Sequence, residues 1–458
     1  YGVHSHDTGP DGQAIEFVEP TELPDGRLLV MMRPPGQQSR LGALPVAIDV
    51  ANYVEHDQPT FANAGLLSDA QEILIPGDLS LDESEPALQG RYAHISPLND
   101  GTERLITAWS QCRLVDTTSD PLNPVIVPCT EENLANVNMV EADPLYGVWM
   151  YDPRDDTQRP VVIGEEGFHV TEVVAADPTL SPQAVPDGMN DFPLASVAGE
   201  NVGILNIRSV YDFDGAAVVD IEAMANPTQT LASDRPARFL RIEKAVSIPD
   251  EDATNIEIDN TAFGVNNNQG MREIVGYAMI EPDGSVMTKV PANVALAISV
   301  VDENGKRVGE RHQNWLHVRP GQQLSCNGCH VSNSGLSHGR YDAFESAYAG
   351  APSGALEFPG TLPQWNIGEP GETMAEVRAR VTCATDGCSS LEPSVNVWYT
   401  DVWTADPLIA IQNEDVDYRY TAAGLTPGLS TPPPTSFGCE TDWQALCRII
   451  INYEDHIH

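Results

Sequence analysis

Cys326-Asn327-Gly328-Cys329-His330 sets two thiols three residues apart, with an imidazole directly after the second. A C-x-x-C-H run is the pattern of covalent haem attachment. Each thiol adds to a vinyl group, and the adjacent histidine reaches the iron from one side. Composition alone yields it in on the order of a few per thousand such chains, so the signal is specific. Two other chemistries use neighbouring cysteines. Zinc wants two further ligands close by, and only His338 offers itself. A redox CxxC pair wants a βαβ setting, which the surrounding sequence lacks. The motif therefore predicts haem c on Cys326 and Cys329, with His330 as proximal iron ligand. His338 is the expected ligand on the other side. The intervening Val331–Ser337 is small and polar, and Gly335 permits a tight reversal. At ~3.3 Å per extended residue this segment spans more than 20 Å, enough to pass round a haem edge. His317, His456 and His458 are rivals, as are a methionine and an open position.

The other six cysteines fall into near neighbours: Cys112 with Cys129, Cys383 with Cys388, Cys439 with Cys447. Pairs that close short loops suit disulfides in an oxidising compartment, the compartment that haem attachment also requires. A periplasmic or extracellular protein is expected. The chain opens at Tyr1 without a signal peptide, which points to a removed leader or an end left out. Weaker metal candidates remain. His4 and His6 beside Asp7 would share one face of a strand and could hold zinc. Asp212, Asp214 and the turn at Asp302 could hold calcium, although short acidic turns mostly do not. His312 and His317 flank Trp315 on a segment leading to the motif and could pack on the haem. His56, His94 and His169 carry no pattern. No Ser-His-Asp spacing, Walker loop or GxGxxG is present.

These groups need a scaffold, and the chain writes it in strands. "ELPDGRLLVMMR", "RYAHISPLNDGTERLITAWSQCRLVD" and "YGVWMYDPRDDTQRPVVI" alternate strand, turn and strand. This suits antiparallel four-stranded blades, or a plain β-sandwich. At ~40–45 residues per blade, only three or four units fit, so a propeller would be partial. From Met271 a run of hairpins turns at Pro282-Asp283-Gly284 and Glu303-Asn304-Gly305, as in a small transthyretin-like sandwich. The expected class is mainly β. Its domains are a propeller-like 1–176, a linker 177–200, a β-sandwich 201–325, and a haem-bearing, irregular, disulfide-bearing 326–458. "YDAFESAYAGA" reads as one or two helical turns, and "DWQALCRIIINYEDHIH" as opening on a short helix. No long amphipathic helix is visible.

"NVGILNIRSVYDFDG", "RFLRIEKAVSIPD", "VGYAMIEPDGSVMTKVPAN" and "NWLHVRPGQQLSCNGCH" resemble the haem-bearing family that includes the alpha subunit of hydrazine synthase. The resemblance covers residues 20–340 and is strongest over 203–330. It implies a propeller ahead of a middle domain, with c-type haems on CxxCH motifs. It also implies one haem with a tyrosine axial ligand, whose motif histidine binds zinc instead. No tyrosine here matches that ligand, although Tyr341 is near the motif. The closing "CRIIINYEDHIH" resembles the lead-in to a further CxxCH segment, as in a longer multihaem protein. The family's hydrazine chemistry needs partner subunits and is not carried over.

Asp and Glu number 67 against 24 Lys and Arg, a net charge of −43. That surface repels nucleic acid and anionic lipid, and no apolar run is long enough to cross a membrane. It suits solubility in salty water, or steering of a cationic partner. The sequence thus points to an exported c-type cytochrome passing electrons to a redox partner or further haem subunits. The alternatives are a haem redox enzyme for a small nitrogen or oxygen species, and a structural part of an extracellular multihaem assembly. The charge carries a direct test. Screening shortens its range to ~3 Å at 1 M salt, so the melting temperature should rise between low and molar sodium chloride. A flat or falling trend would show that local ion pairs dominate.

Overall fold

The protein is seen in a computed structural model. It describes residues 14–37, 41–56, 58–75, 85–116, 123–176, 197, 199–248, 270–310, 312, 314–331, 340–352, 358–405, 416–420 and 433–451. The fold is mainly β, as expected. The chain forms two compact units, one of residues 1–180 with 335–343 and one of 181–334 with 344–458.

The first unit holds two four-stranded antiparallel meanders. One runs Glu16–Glu22, Leu28–Arg33, Leu44–Ile48, Gln71–Ile73. The other runs Arg91–Pro97, Leu105–Ser110, Gly147–Asp152, Thr157–Val162. Leu29, Met31 and Ala47 of the first share a buried cluster with Tyr92, Ile95 and Tyr151 of the second. Alternating apolar side chains supply that inner face. Each meander has the strand count of a propeller blade; among the described residues they close into no ring. A side sheet of Arg113–Asp116, Val125–Pro128 and Val140–Glu141 is inserted in the second meander and carries the Cys112–Cys129 disulfide. Arg340 belongs to this unit. Its guanidinium donates to the Val50 carbonyl at 2.8 Å and the Tyr53 carbonyl at 3.0 Å.

The second unit is built on two three-stranded sheets packed face to face. Val202–Ile207 lies between Val286–Pro291, antiparallel, and Gln323–Cys326, parallel. Phe239–Val246 lies between Met271–Met279 and Leu296–Val301, both antiparallel. Leu205, Ile207 and Val290 meet Leu240, Ile242 and Val275 in the shared core. "VGILNI" is buried along its whole length because its other face is covered too. Val202 and Ile204 pack in a second cluster with Ala375, Ala379, Tyr399 and Trp443 from the C-terminal part.

That cover contains a helix, Met374–Asp386, where the sequence promised none. Thr373 and Glu376 form a reciprocal capping box, and Gly387, at φ 65°, ends it in the left-handed conformation. The core turn adds further caps. Asp283 accepts from the Met374 amide at 2.8 Å and Ser285 Oγ from the Ala375 amide at 2.9 Å. "YDAFESAYAGA" forms turns and bends instead of a helix. Ser346 Oγ and the Ala347 amide both donate to the Asp212 carboxylate, which ties that stretch down outside a helix. In the closing stretch the helical turn comes earlier than expected, at Phe437–Thr441, where Ser436 caps it.

Lys289, one of three lysines in the chain, is 2% exposed and pairs with Glu200 at 2.6 Å and Glu392 at 3.1 Å. Truncating it would leave two carboxylates without their cation.

The six cysteines pair as expected: Cys112–Cys129, Cys383–Cys388 and Cys439–Cys447. Each loop restricts the unfolded chain, by roughly 2–4 kcal/mol in the loop-entropy picture. Peptide mapping without reductant should recover these three linkages. Free thiols at these positions, or links between the pairs, would contradict the arrangement.

Candidate functional site

Strand Gln323–Cys326 runs parallel to Val202–Ile207, and the pairing continues past the end of both strands. The Arg208 amide donates to the Cys326 carbonyl at 2.9 Å and the Ser209 amide to Asn327 at 3.1 Å. The Cys329 amide donates to the Asp212 carbonyl at 2.8 Å, and the Asp214 amide to Cys329 at 3.1 Å. Two side chains finish the clamp. Asp214 accepts from the Val331 amide at 2.9 Å, and Asn327, itself buried, donates to the Phe344 carbonyl at 2.9 Å. The C-x-x-C-H segment is therefore held by its backbone along 208–214.

Gly328 is needed for this approach. A Cβ there would lie 2.3 Å from the Asp212 carbonyl oxygen and 2.6 Å from that of Ser209. Sequence reasoning passed over Gly328, since the two middle positions of the motif carry no chemistry of their own.

Cys326 and Cys329 are the free cysteines, both partly buried against the sandwich core. Cys329 points its thiol at the Val210 carbonyl, 3.6 Å away. Burial pushes the Cys326 thiol up to about 11. Burial, then the neighbouring Cys326, Asp212 and Asp214, push Cys329 to about 12. Both stay protonated at neutral pH, so neither is a poised nucleophile. His330 is exposed.

A second imidazole stands opposite. The rings of His312 and His330 lie 6.2 Å apart, centre to centre, at 69°. His312 comes from the segment after Leu296–Val301, anchored where Leu316 bridges back to Leu296. Its carbonyl accepts from Arg272 at 3.2 Å. The Arg272 guanidinium lies 4.6 Å from the Trp315 ring centre and 3.3 Å from Glu243. Burial, then the charges of His330 and Arg272, hold the His312 imidazole below its ordinary value, against a main-chain contact with Asn314 that raises it. His317 is exposed.

The remaining candidates scatter. His338, His4, His6, Asp7, His456 and His458 lie outside the described residues. Tyr341 is exposed and belongs to the first unit. Asp212 accepts from the Gly215 and Ala347 amides and Asp214 from the Val331 amide just past the C-x-x-C-H segment, and Asp302 holds the amides of its own turn. These carboxylates are spent on local structure. Among the described residues no three His, Cys, Asp or Glu side chains converge as a metal-binding group. In the first unit His94 lies 3.9 Å from Glu19 and His169 packs on Tyr146. No described helix is long and apolar enough to cross a membrane.

The donor set fits a c-type haem. The two motif thiols are free although every other cysteine is paired, and the motif imidazole is exposed beside them.

Residues 235–331 match the family described as the hydrazine synthase alpha subunit middle domain. The match ends one residue past His330. The hydrazine synthase alpha subunit of Kuenenia stuttgartiensis is 34% identical over 80 residues, which is 18% of this chain and 9% of that protein. The solved hydrazine synthase of the same organism aligns at 16% identity with a TM-score of 0.30, over 73% of this chain and 46% of that one. This chain thus spans less than half of that relative's length. The family recognised in the sequence, the one that includes the hydrazine synthase alpha subunit, is the one these matches return.

Gly328→Ala tests the clamp. The added methyl must displace main-chain carbonyls, which costs about 1–3 kcal/mol. The melting temperature of the second unit should fall. An unchanged melting temperature would show that the motif is not held along 208–214.

Proposed function

We propose that this chain, whose middle segment is of the hydrazine synthase alpha type, carries one covalent c-type haem and serves in an exported redox assembly. Cys326 and Cys329 hold the haem by thioether bonds, and His330 ligates its iron. One observation carries the proposal. The family match runs through a C-x-x-C-H whose two thiols are free while the other six cysteines are paired.

The bound haem would supply one-electron chemistry. The chain's residues provide its setting. The backbone along 208–214 fixes the spacing of the two thiols. The sandwich core beneath Cys326 and Cys329 keeps water from one edge of the group, which tunes its potential. Three disulfides support export, because such bonds persist outside the cytosol. The relative named above is a subunit, which supports further protein subunits as partners here. An electron-transfer role needs a ligand on both sides of the iron, whereas an enzyme of the redox assembly would keep one side open.

Intact mass after acid denaturation should exceed the polypeptide by one haem in a host that matures c-type cytochromes. The double variant Cys326→Ala, Cys329→Ala should return to the bare chain. A parent protein at the bare mass would remove the proposal.

A further inference from the structure

We propose that the sheet of Phe239–Val246, Met271–Met279 and Leu296–Val301 carries a carboxylate-binding site, seated on Arg272 with Arg241 and Ser299 beside it. The site stands apart from the covalent haem proposed above, although a haem propionate is one of two sources of the carboxylate.

Alternation along the central strand separates this face from the core. Leu240 and Ile242 point into the core shared by the two sheets, so Arg241 and Glu243 take the opposite face. Ser299 stands directly across from Arg241. Arg272, across from Ala245, reaches Glu243 from the other neighbouring strand. Its side chain is 6% exposed. Nη1 is committed to Glu243 at 3.3 Å and to the His312 carbonyl at 3.2 Å. The guanidinium carbon sits over the Trp315 ring, 4.6 Å from its centre, which fixes the plane of the group. Nε and Nη2 are buried and have no hydrogen-bond partner. Those two nitrogens form one edge of the guanidinium. Their N–H bonds run parallel, the geometry that the two oxygens of a carboxylate match.

Two further groups on this face are unsatisfied. Ser299 is 3% exposed and its hydroxyl has no partner. Arg241 Nε is buried and lies 3.1 Å from Glu243 Oε1, close enough to pair in charge but not aligned as a hydrogen bond. Buried polar groups are nearly always bonded, so three residues with idle donors on one face of one sheet point to a ligand. Charge selects its kind. Among the described residues the two guanidiniums share one carboxylate, Glu243, which leaves a surplus positive charge in a chain of net −43. Water would satisfy the donors but leave that charge uncompensated, whereas one carboxylate answers both. Arg272 also holds the segment whose His312 ring lies 6.2 Å from that of His330. A propionate of the haem and a free small carboxylate are therefore the two sources to separate.

Sodium acetate is the probe, with sodium chloride at equal ionic strength as control. Melting temperature is followed in the holoprotein and in the full chain with Cys326→Ala and Cys329→Ala. The haem-free chain should show a saturable rise with acetate. Arg272→Gln should abolish it, and Ser299→Ala should weaken acetate binding about tenfold or more. In chloride alone Ser299→Ala should melt no lower than its parent, because its hydroxyl holds nothing in the protein. The same response in the holoprotein identifies a free carboxylate as the ligand; its loss there identifies the propionate. No saturable response in either form, or a response that Arg272→Gln retains, would overturn the proposal. If the haem-free chain does not fold, the holoprotein decides. With a propionate seated, Arg272→Gln should lower the reduction potential and make it vary with pH between about 5 and 7, and Arg272→Lys should restore it. An unchanged potential in an acetate-insensitive holoprotein would overturn the proposal. A parent chain without haem would remove the haem proposal and leave the acetate response to decide this one.

Discussion

Parallel pairing between 323–329 and 204–214 is the constraint on which the rest depends. A chain segment that commits its amides and carbonyls to a neighbouring backbone cannot rearrange without leaving polar groups unpaired. Cys326, Asn327 and Cys329 are committed in this way, and Gly328 is the residue that lets the two backbones approach. The two thiols are consequently placed by main-chain bonds, independent of their own chemistry. A site fixed on strands is held more firmly than one on a free loop.

Everything behind that strand serves to keep it in place. Val202–Ile207 is buried on both faces, by the second sheet and by the C-terminal part with its helix. The helix is fastened to the same core through Asp283 and Ser285 in the turn before Val286–Pro291. Glu281, beside that turn, accepts from the Trp403 indole at 2.5 Å and pairs with Arg378 of the helix at 3.1 Å. The acidic chain spends its few cations in such places. Lys289 and Arg272 are themselves largely buried where they meet carboxylates, and partly buried charge pairs are screened less by salt than exposed ones.

The strands were legible because their signals are local. "YGVWMYDPRDDTQRPVVI" alternates and turns where the second meander does. Pro282-Asp283-Gly284 does turn, but the strands it joins, Met271–Met279 and Val286–Pro291, lie in different sheets and form no hairpin, because each pairs with a strand distant in sequence. The disulfides were legible from spacing alone. The helix Met374–Asp386 was missed although Thr373-x-x-Glu376 and Gly387 mark both its ends. Its stripe is blurred by Arg378, Thr382 and Thr385, so periodicity gave no warning. At the site, the thiols and His330 could be read from a five-residue word. The facing of His312 and His330 could not, because it depends on the packing of two sheets whose strands are far apart in sequence. Gly328 also stayed hidden, since only the neighbouring backbone shows why a side chain is excluded.

A covalent haem on Cys326 and Cys329 is the central proposal. Acid–acetone extraction followed by the pyridine haemochrome spectrum of the residue addresses it directly. The account predicts haem that stays with the protein and shows the spectrum of a ring whose two vinyl groups are saturated. Haem that leaves with the solvent, or a protein without haem, would contradict it.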